Sequence, residues 1–174
     1  MIINNIILFI CIVNFLLVLF VFFNAKELKT HISFLIFSFI STLWLFDNFL
    51  FRIYPYSIFG PLSYGLGILV ATTALMWVHE LVDGKIPKFI FYIIIPISAL
   101  VFIVSSFSTH VVSAFSIIEP FGYNGKKGVL FVEYSIYIAF LTLFCLYKLG
   151  RKSIEEKDIL KKKQILSVFV GSSI

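Results

Sequence analysis

Charge is scarce in this 174-residue chain: Asp, Glu, Lys and Arg make up 13% of it, and only nine residues are acidic. A soluble domain carries about twice that share. The shortage excludes an ordinary water-facing surface. There are two cysteines and three histidines. Cys11 and Cys145 both lie in apolar runs, with no zinc-type spacing, and read as small buried hydrophobes. His31, His79 and His110 do not cluster, so no metal site is expected. There is no P-loop, dinucleotide fingerprint, nucleophile elbow or zincin motif, so no catalytic residue, cofactor or enzyme activity is assigned. Internal repeats and low-complexity linkers are also missing. The first five residues carry no positive charge and no A-x-A site follows, which argues against a secretory signal.

What is present is apolar. Hydrophobic residues make up 60% of the chain, Phe alone occurs 22 times, and mean hydropathy is +1.05. A helix needs about 20 apolar residues to cross a bilayer. Five runs meet this: 2–23, 32–51, about 58–78, 89–107 and 129–149. A sixth begins near Ile165 and reaches Ile174, about half a bilayer at 1.5 Å per residue. The expectation is an all-α polytopic bundle with five full spans and a truncated sixth, and a natural protein that continues. Pro96, mid-span, predicts a kink. Gly67 and Ala71 form a small-x-x-x-small pair that permits close helix packing. The long gap 108–128 alternates at Val111, Ser113, Phe115 and Ile117, compatible with a small β-hairpin.

Basic residues set the expected orientation. Alternating sides from the N-terminus puts 11 of the 14 on one side (Lys26, Lys29, Lys85, Lys88, Lys148, Arg151, Lys152, Lys157, Lys161, Lys162 and Lys163). Arg52, Lys126 and Lys127 fall on the other. Basic short loops stay cytoplasmic, so the N-terminus is expected outside a multi-pass cell-membrane protein. The basic loop 150–164 is explained by this topology and needs no nucleic acid; it also suits anionic lipid. Within it, Ser153 and Glu156 fit a capping box, and Asp158 and Lys162 can pair one turn apart.

Ionisable groups inside spans are costly and are functional candidates by default. Asp47 and Glu133 each sit about four residues, roughly 6 Å, inside the outer end of their spans. Asn48 adjoins Asp47, Tyr137 sits one turn below Glu133, Tyr64 lies at similar depth, and Arg52 is the only base at that level apart from Lys126 and Lys127. One reading is a ligand pocket open to the outside, with Asp47 and Glu133 meeting. The other is local: Asp47 pairs with Arg52, Glu133 with Lys126 or Lys127, and the aromatics anchor the interface.

Several segments carry a family likeness: LWLFDNFLF (Leu43 to Phe51), FGPLSYGLG, HELVDGKIPK, FGYNGKKGVLFVEYSIY and KKKQILSVFVG, the last with Gly171 inside it. In order, spacing and topology the chain resembles the N-terminal seven-helix sensor region of bacterial and archaeal histidine kinases and of some diguanylate cyclases. It departs by lacking the rest of helix six, helix seven and any output domain. The resemblance implies an input module of a two-component or similar signal-transduction system. Its partners would be the lipid bilayer, an outside or membrane-borne signal and a cytoplasmic output domain in cis, with a homodimer left open. No binding residue is carried over from it. A small-solute transporter or channel-like bundle is the alternative, disfavoured by the missing repeat. A membrane-embedded lipid enzyme would want convergent His, Asp or Ser groups, and only His79, Glu80 and Asp83 lie close together, on one segment.

Overall fold

A computed structural model describes residues 2–24, 32–54, 58–118 and 122–173. The chain runs α1 (Ile2–Asn24), α2 (Ile32–Ile53), α3 (Phe59–Asp83), a π-helical turn (Ile90–Ile94), α4 (Ile95–Phe107), β1 (Val112–Ile118), β2 (Gly122–Lys127), α5 (Phe131–Glu155) and α6 (Ile159–Ser173). Five of the helical stretches are long and apolar enough to cross a membrane: α1, α2, α3, the π turn with α4, and α5. Their outward faces carry Phe9, Phe20, Leu100, Ile136 and Leu143, all exposed. Apolar exposure on this scale is what hydrocarbon, not water, tolerates.

Helix α3 is the hub. It packs against α2, α4 and α5, while α1 leans on α2 and α6 on α5. The interior divides into two apolar clusters. One joins Leu75, Val78 and Val82 of α3 to Ile90, Leu141, Leu149 and Ile165. The other joins Ile68 to Val111, Val112 and Tyr134 beneath the hairpin.

Polar side chains tie the helices together, because a lone donor in hydrocarbon is costly and finds its partner on a neighbour. Asn14 of α1 donates to Thr42 Oγ1 at 2.9 Å and to the Ser38 carbonyl at 3.1 Å in α2. Cys11 donates to the Thr42 carbonyl at 3.7 Å. Ser33 of α2 donates to the Glu80 carboxylate of α3. Thr72 Oγ1 lies 2.6 Å from Ser98 Oγ, which lies 2.8 Å from the Tyr137 hydroxyl, so one chain of hydroxyls links α3, α4 and α5.

Four expectations are refined. Helix α3 runs past Val78 to Asp83 and stops at Gly84, whose φ of 70° lets its N–H reach the Glu80 carbonyl at 2.8 Å. Only glycine takes that left-handed cap without strain. Pro96 does not stand alone as a kink: a wide turn precedes it, in which Ile95 N–H bonds the Ile90 carbonyl. The proline ring crowds the carbonyl four residues back, and widening the preceding turn makes room. Between Gly65 and Gly67, the closer helix approach is at Gly65; at Gly67 a Cβ would meet only ordinary contacts, 3.4 Å or more away. A Cβ on Gly65 would strike Ser106 and lie 2.9 Å from the Phe102 ring of α4. The capping box at Ser153 and Glu156 does not form, because α5 continues to Glu155 and Ser153 turns inward to the Gly150 carbonyl. Asp158 caps α6 instead, accepting from the N–H groups of Leu160 and Lys161 at 2.8 and 3.1 Å.

The gap 108–128 holds an antiparallel hairpin, so the chain is not wholly α. A bulge between Val112 and Ala114 breaks the simple alternation, and Val111 and Val112 are both buried. Side chains at 116–124, Ile117 among them, lie outside the described set. At Gly128 the chain passes so close to the His110 backbone that a Cβ would collide with it.

Candidate functional site

The hairpin roofs a cavity of about 310 Å³ between α2, α3 and α5. Each wall has a sequence reason. Trp44, Asn48 and Phe51 recur at helical spacing on α2, and Arg52 follows in its last turn. Gly60, Ser63, Tyr64 and Gly67 do the same on α3. Tyr134 and Ile138 are one turn apart on α5. Phe115 and Gly125 come down from the two strands. Phe115 lies against Gly60, where a Cβ would meet its ring, and its own ring sits 5.0 Å edge-on from Phe51.

The polar groups are held in place. The Tyr134 hydroxyl donates to the Tyr64 carbonyl at 2.8 Å, and the two rings are 5.7 Å apart. The Trp44 indole donates to the Ser63 carbonyl at 3.0 Å. The Asn48 amide donates to the Trp44 carbonyl at 2.8 Å, leaving its oxygen to accept. A half-buried Arg52 supplies positive charge at the rim. The site can therefore hold a small polar molecule by hydrogen bonds and charge between aromatic walls.

Six residues were singled out from the sequence, and the structure separates them. Asn48, Arg52 and Tyr64 line the cavity. Asp47 stands just behind it, 5% exposed, with the side chain of Ser63, itself a wall residue, beside its carboxylate. Its Oδ2 has no partner among the described residues. Glu133 does not meet it. Glu133 is exposed in the first turn of α5, outside the lining, because Tyr134 and Ile138 are the positions of α5 turned toward α3. Equal depth placed the two carboxylates together; rotation about the helix axis keeps them apart. Tyr137 faces α4 and belongs to the hydroxyl chain with Ser98. Tyr134, Ser63, Gly60, Phe115 and Gly125 were not foreseen. Tyr134 carried a usable signal, an aromatic one turn from Ile138; Phe115 and Gly125 carried none.

A second polar group lies at the far end of α3. His79 is 3% exposed, with Nδ1 3.2 Å from Asp83 Oδ2, and Lys148 of α5 reaches the same oxygen at 2.5 Å. His79 turns inward between Phe89 and Phe144. Among the described residues there is no group of three or more metal-ligating side chains. No protein-family model matches the chain, and no curated protein or solved structure does either.

Proposed function

We propose that the chain is a membrane-embedded signal-input module, taking a small polar ligand in the hairpin-roofed cavity. The observation that carries this is the cavity itself: fixed hydrogen-bonding groups and one arginine, built from three helices and covered by the one β element among the described residues. A binding event there touches α2, α3 and α5 together. Helix α3 then leads directly to the Asp83–Lys148 contact at the basic end. The basic residues belong in the cytoplasm by the positive-inside rule, so the N-terminus and the hairpin face outside. The resemblance to histidine-kinase sensor regions agrees with this arrangement and assigns the output to a cytoplasmic domain in cis.

The test is a thermal-shift screen of polar small molecules on the chain in nanodiscs, repeated with Gly67→Leu. A Cβ at Gly67 lies 3.4 Å from the Tyr134 hydroxyl and 3.8 Å from the Trp44 indole, so a longer side chain enters the cavity. Ligands of the site stabilise the native chain and not the variant. Hits that Gly67→Leu leaves unchanged would place binding elsewhere, and uptake of a hit into sealed vesicles would favour transport over sensing.

A further inference from the structure

At the basic end, α3 and α5 enclose a second pocket of about 450 Å³. Its polar side is Lys148, Arg151 and Lys152 with Asp83 and Glu155, one positive charge in excess. Its apolar side is Val82, Phe144 and Tyr147. Each of the three cations has a carboxylate partner, Lys148 in a largely buried place and Arg151 in an exposed one. Lys148 is 19% exposed and fixed on Asp83 at 2.5 Å. Arg151 Nε donates to Glu155 at 2.7 Å, and Lys152 lies 3.6 Å from Glu156. A ring of preset donors at the point where an apolar span turns basic suits a phosphate group.

The neighbouring surface says what else the ligand carries. Phe140, Phe144, Tyr147 and Arg151 follow one another at four, three and four residues along α5, a single stripe on one face. Phe140 and Tyr147 are exposed, and the Phe140 and Phe144 rings stack at 6.0 Å. This aromatic track runs from the pocket into the hydrocarbon-facing part of the helix. A free phosphate would use only the pocket; a phospholipid would use both. We propose that this pocket is a headgroup site for an anionic phospholipid, with the phosphate at Lys148, Arg151 and Lys152 and one acyl chain along Phe140 and Phe144. The site is separate from the hairpin-roofed cavity and does not depend on the sensing role.

The experiment uses the whole chain in nanodiscs of phosphatidylcholine with or without phosphatidylglycerol, reading retained lipid by native mass spectrometry and stability by thermal denaturation. Phosphatidylglycerol is expected to be retained selectively and to raise the melting temperature. The double variant Arg151→Gln/Lys152→Gln should lower that retention roughly tenfold or more, since each basic residue near an anionic surface is worth about fivefold. The charge-matched control Lys162→Gln/Lys163→Gln, on exposed positions of α6, should keep it. Circular dichroism checks that both variants fold. Equal loss in the two variants would mean diffuse surface attraction and would overturn the site, as would retention without preference for phosphatidylglycerol. Inorganic phosphate at millimolar concentration should neither stabilise the chain nor displace the lipid; if it does both, the lipid assignment fails.

Discussion

At Asp47 a carboxylate is 5% exposed, with the Ser63 side chain beside it and its Oδ2 without a partner among the described residues. Burying such a group is costly unless its hydrogen bonds are made. If the Ser63 hydroxyl supports the carboxylate, Ser63→Ala is expected to lower stability by about 1–3 kcal/mol. Asp47→Asn, of the same shape, is expected to cost less than Ser63→Ala, and thermal melts in nanodiscs would rank the two. The reverse order would mean that the carboxylate itself is needed at that position. Asp47 stands behind the lining and not in it. Glycines act at this scale through what lies against them. At Gly128 the obstacle is the His110 backbone, which cannot rotate away as a side chain can. Gly128→Ala should therefore destabilise by about 1–3 kcal/mol, in the range of overpacked sites. Faster amide exchange along 122–127 would report it, because the Gly128 N–H anchors the hairpin base on the Val111 carbonyl at 2.9 Å. Unchanged exchange there would show that the roof does not depend on this approach.

Among the elements, the start of α4 holds the clearest local conflict. Pro96 cannot donate, and its ring opposes a regular turn before it, yet Ile90 and Ile94 in the wide turn are buried. If the proline sets the turn, Pro96→Ala should raise stability by up to about 3 kcal/mol and restore α-helical chemical shifts over 90–94. Should the π turn survive the substitution, packing of Ile90 and Ile94 sets it instead. Helix α6 depends on its cap. Asp158→Ala is expected to cost about 1 kcal/mol and to expose the Leu160 and Lys161 amides to exchange. Ser153→Ala should leave those two amides protected, since Ser153 bonds back into α5. The linker between the helices also titrates. The backbone N–H of Asp158, then Lys152 and Lys161 beside it, hold the Glu156 carboxyl below its ordinary value of 4.5. A lowered carboxylate favours the folded state above the unfolded value and loses that contribution as pH falls through the folded one. Protection of the α5–α6 linker should thus be constant at neutral pH and decline only below about pH 4.5.

For the whole molecule, the arrangement around α3 sets what can move together. The roofed cavity and the Asp83–Lys148 contact lie at opposite ends of one 25-residue helix, about 37 Å long at 1.5 Å per residue. A rigid helix of this length carries a small tilt at one end to the other, which fits the input role proposed above. Orientation decides which end meets the signal. Single cysteines at Ser113 and Lys163, both exposed, should react oppositely to an impermeant thiol reagent in intact cells, with Ser113 labelled and Lys163 protected. The native Cys11 and Cys145 are buried and give a low background. Labelling at Lys163 and not at Ser113 would invert the topology and move the cavity to the cytoplasmic side.

The amino-acid sequence alone placed the starts of α1, α2, α3, α5 and the π turn to within about two residues, because long apolar runs and turn residues are local signals; α3 and α5 run on past the last apolar residue to Asp83 and Glu155, and α6 starts at Ile159, ahead of its apolar run. It also marked the gap 108–128 as compatible with the hairpin that forms there. What it could not decide was rotation about each helix axis. In a soluble helix, polar residues mark the outer face; here the outer face meets hydrocarbon and is as apolar as the inner one, so the pattern is silent. Asp47 and Glu133 show the consequence, alike in depth and opposite in facing, and Tyr134 took the inward place that Glu133 was expected to hold. The cavity walls contributed by Phe115 and Gly125 needed tertiary structure for a further reason. They reach the site from a hairpin more than 50 residues beyond Gly60 in the chain, and the packing of α3 against α4 and α5, which the hairpin connects, brings it over the site.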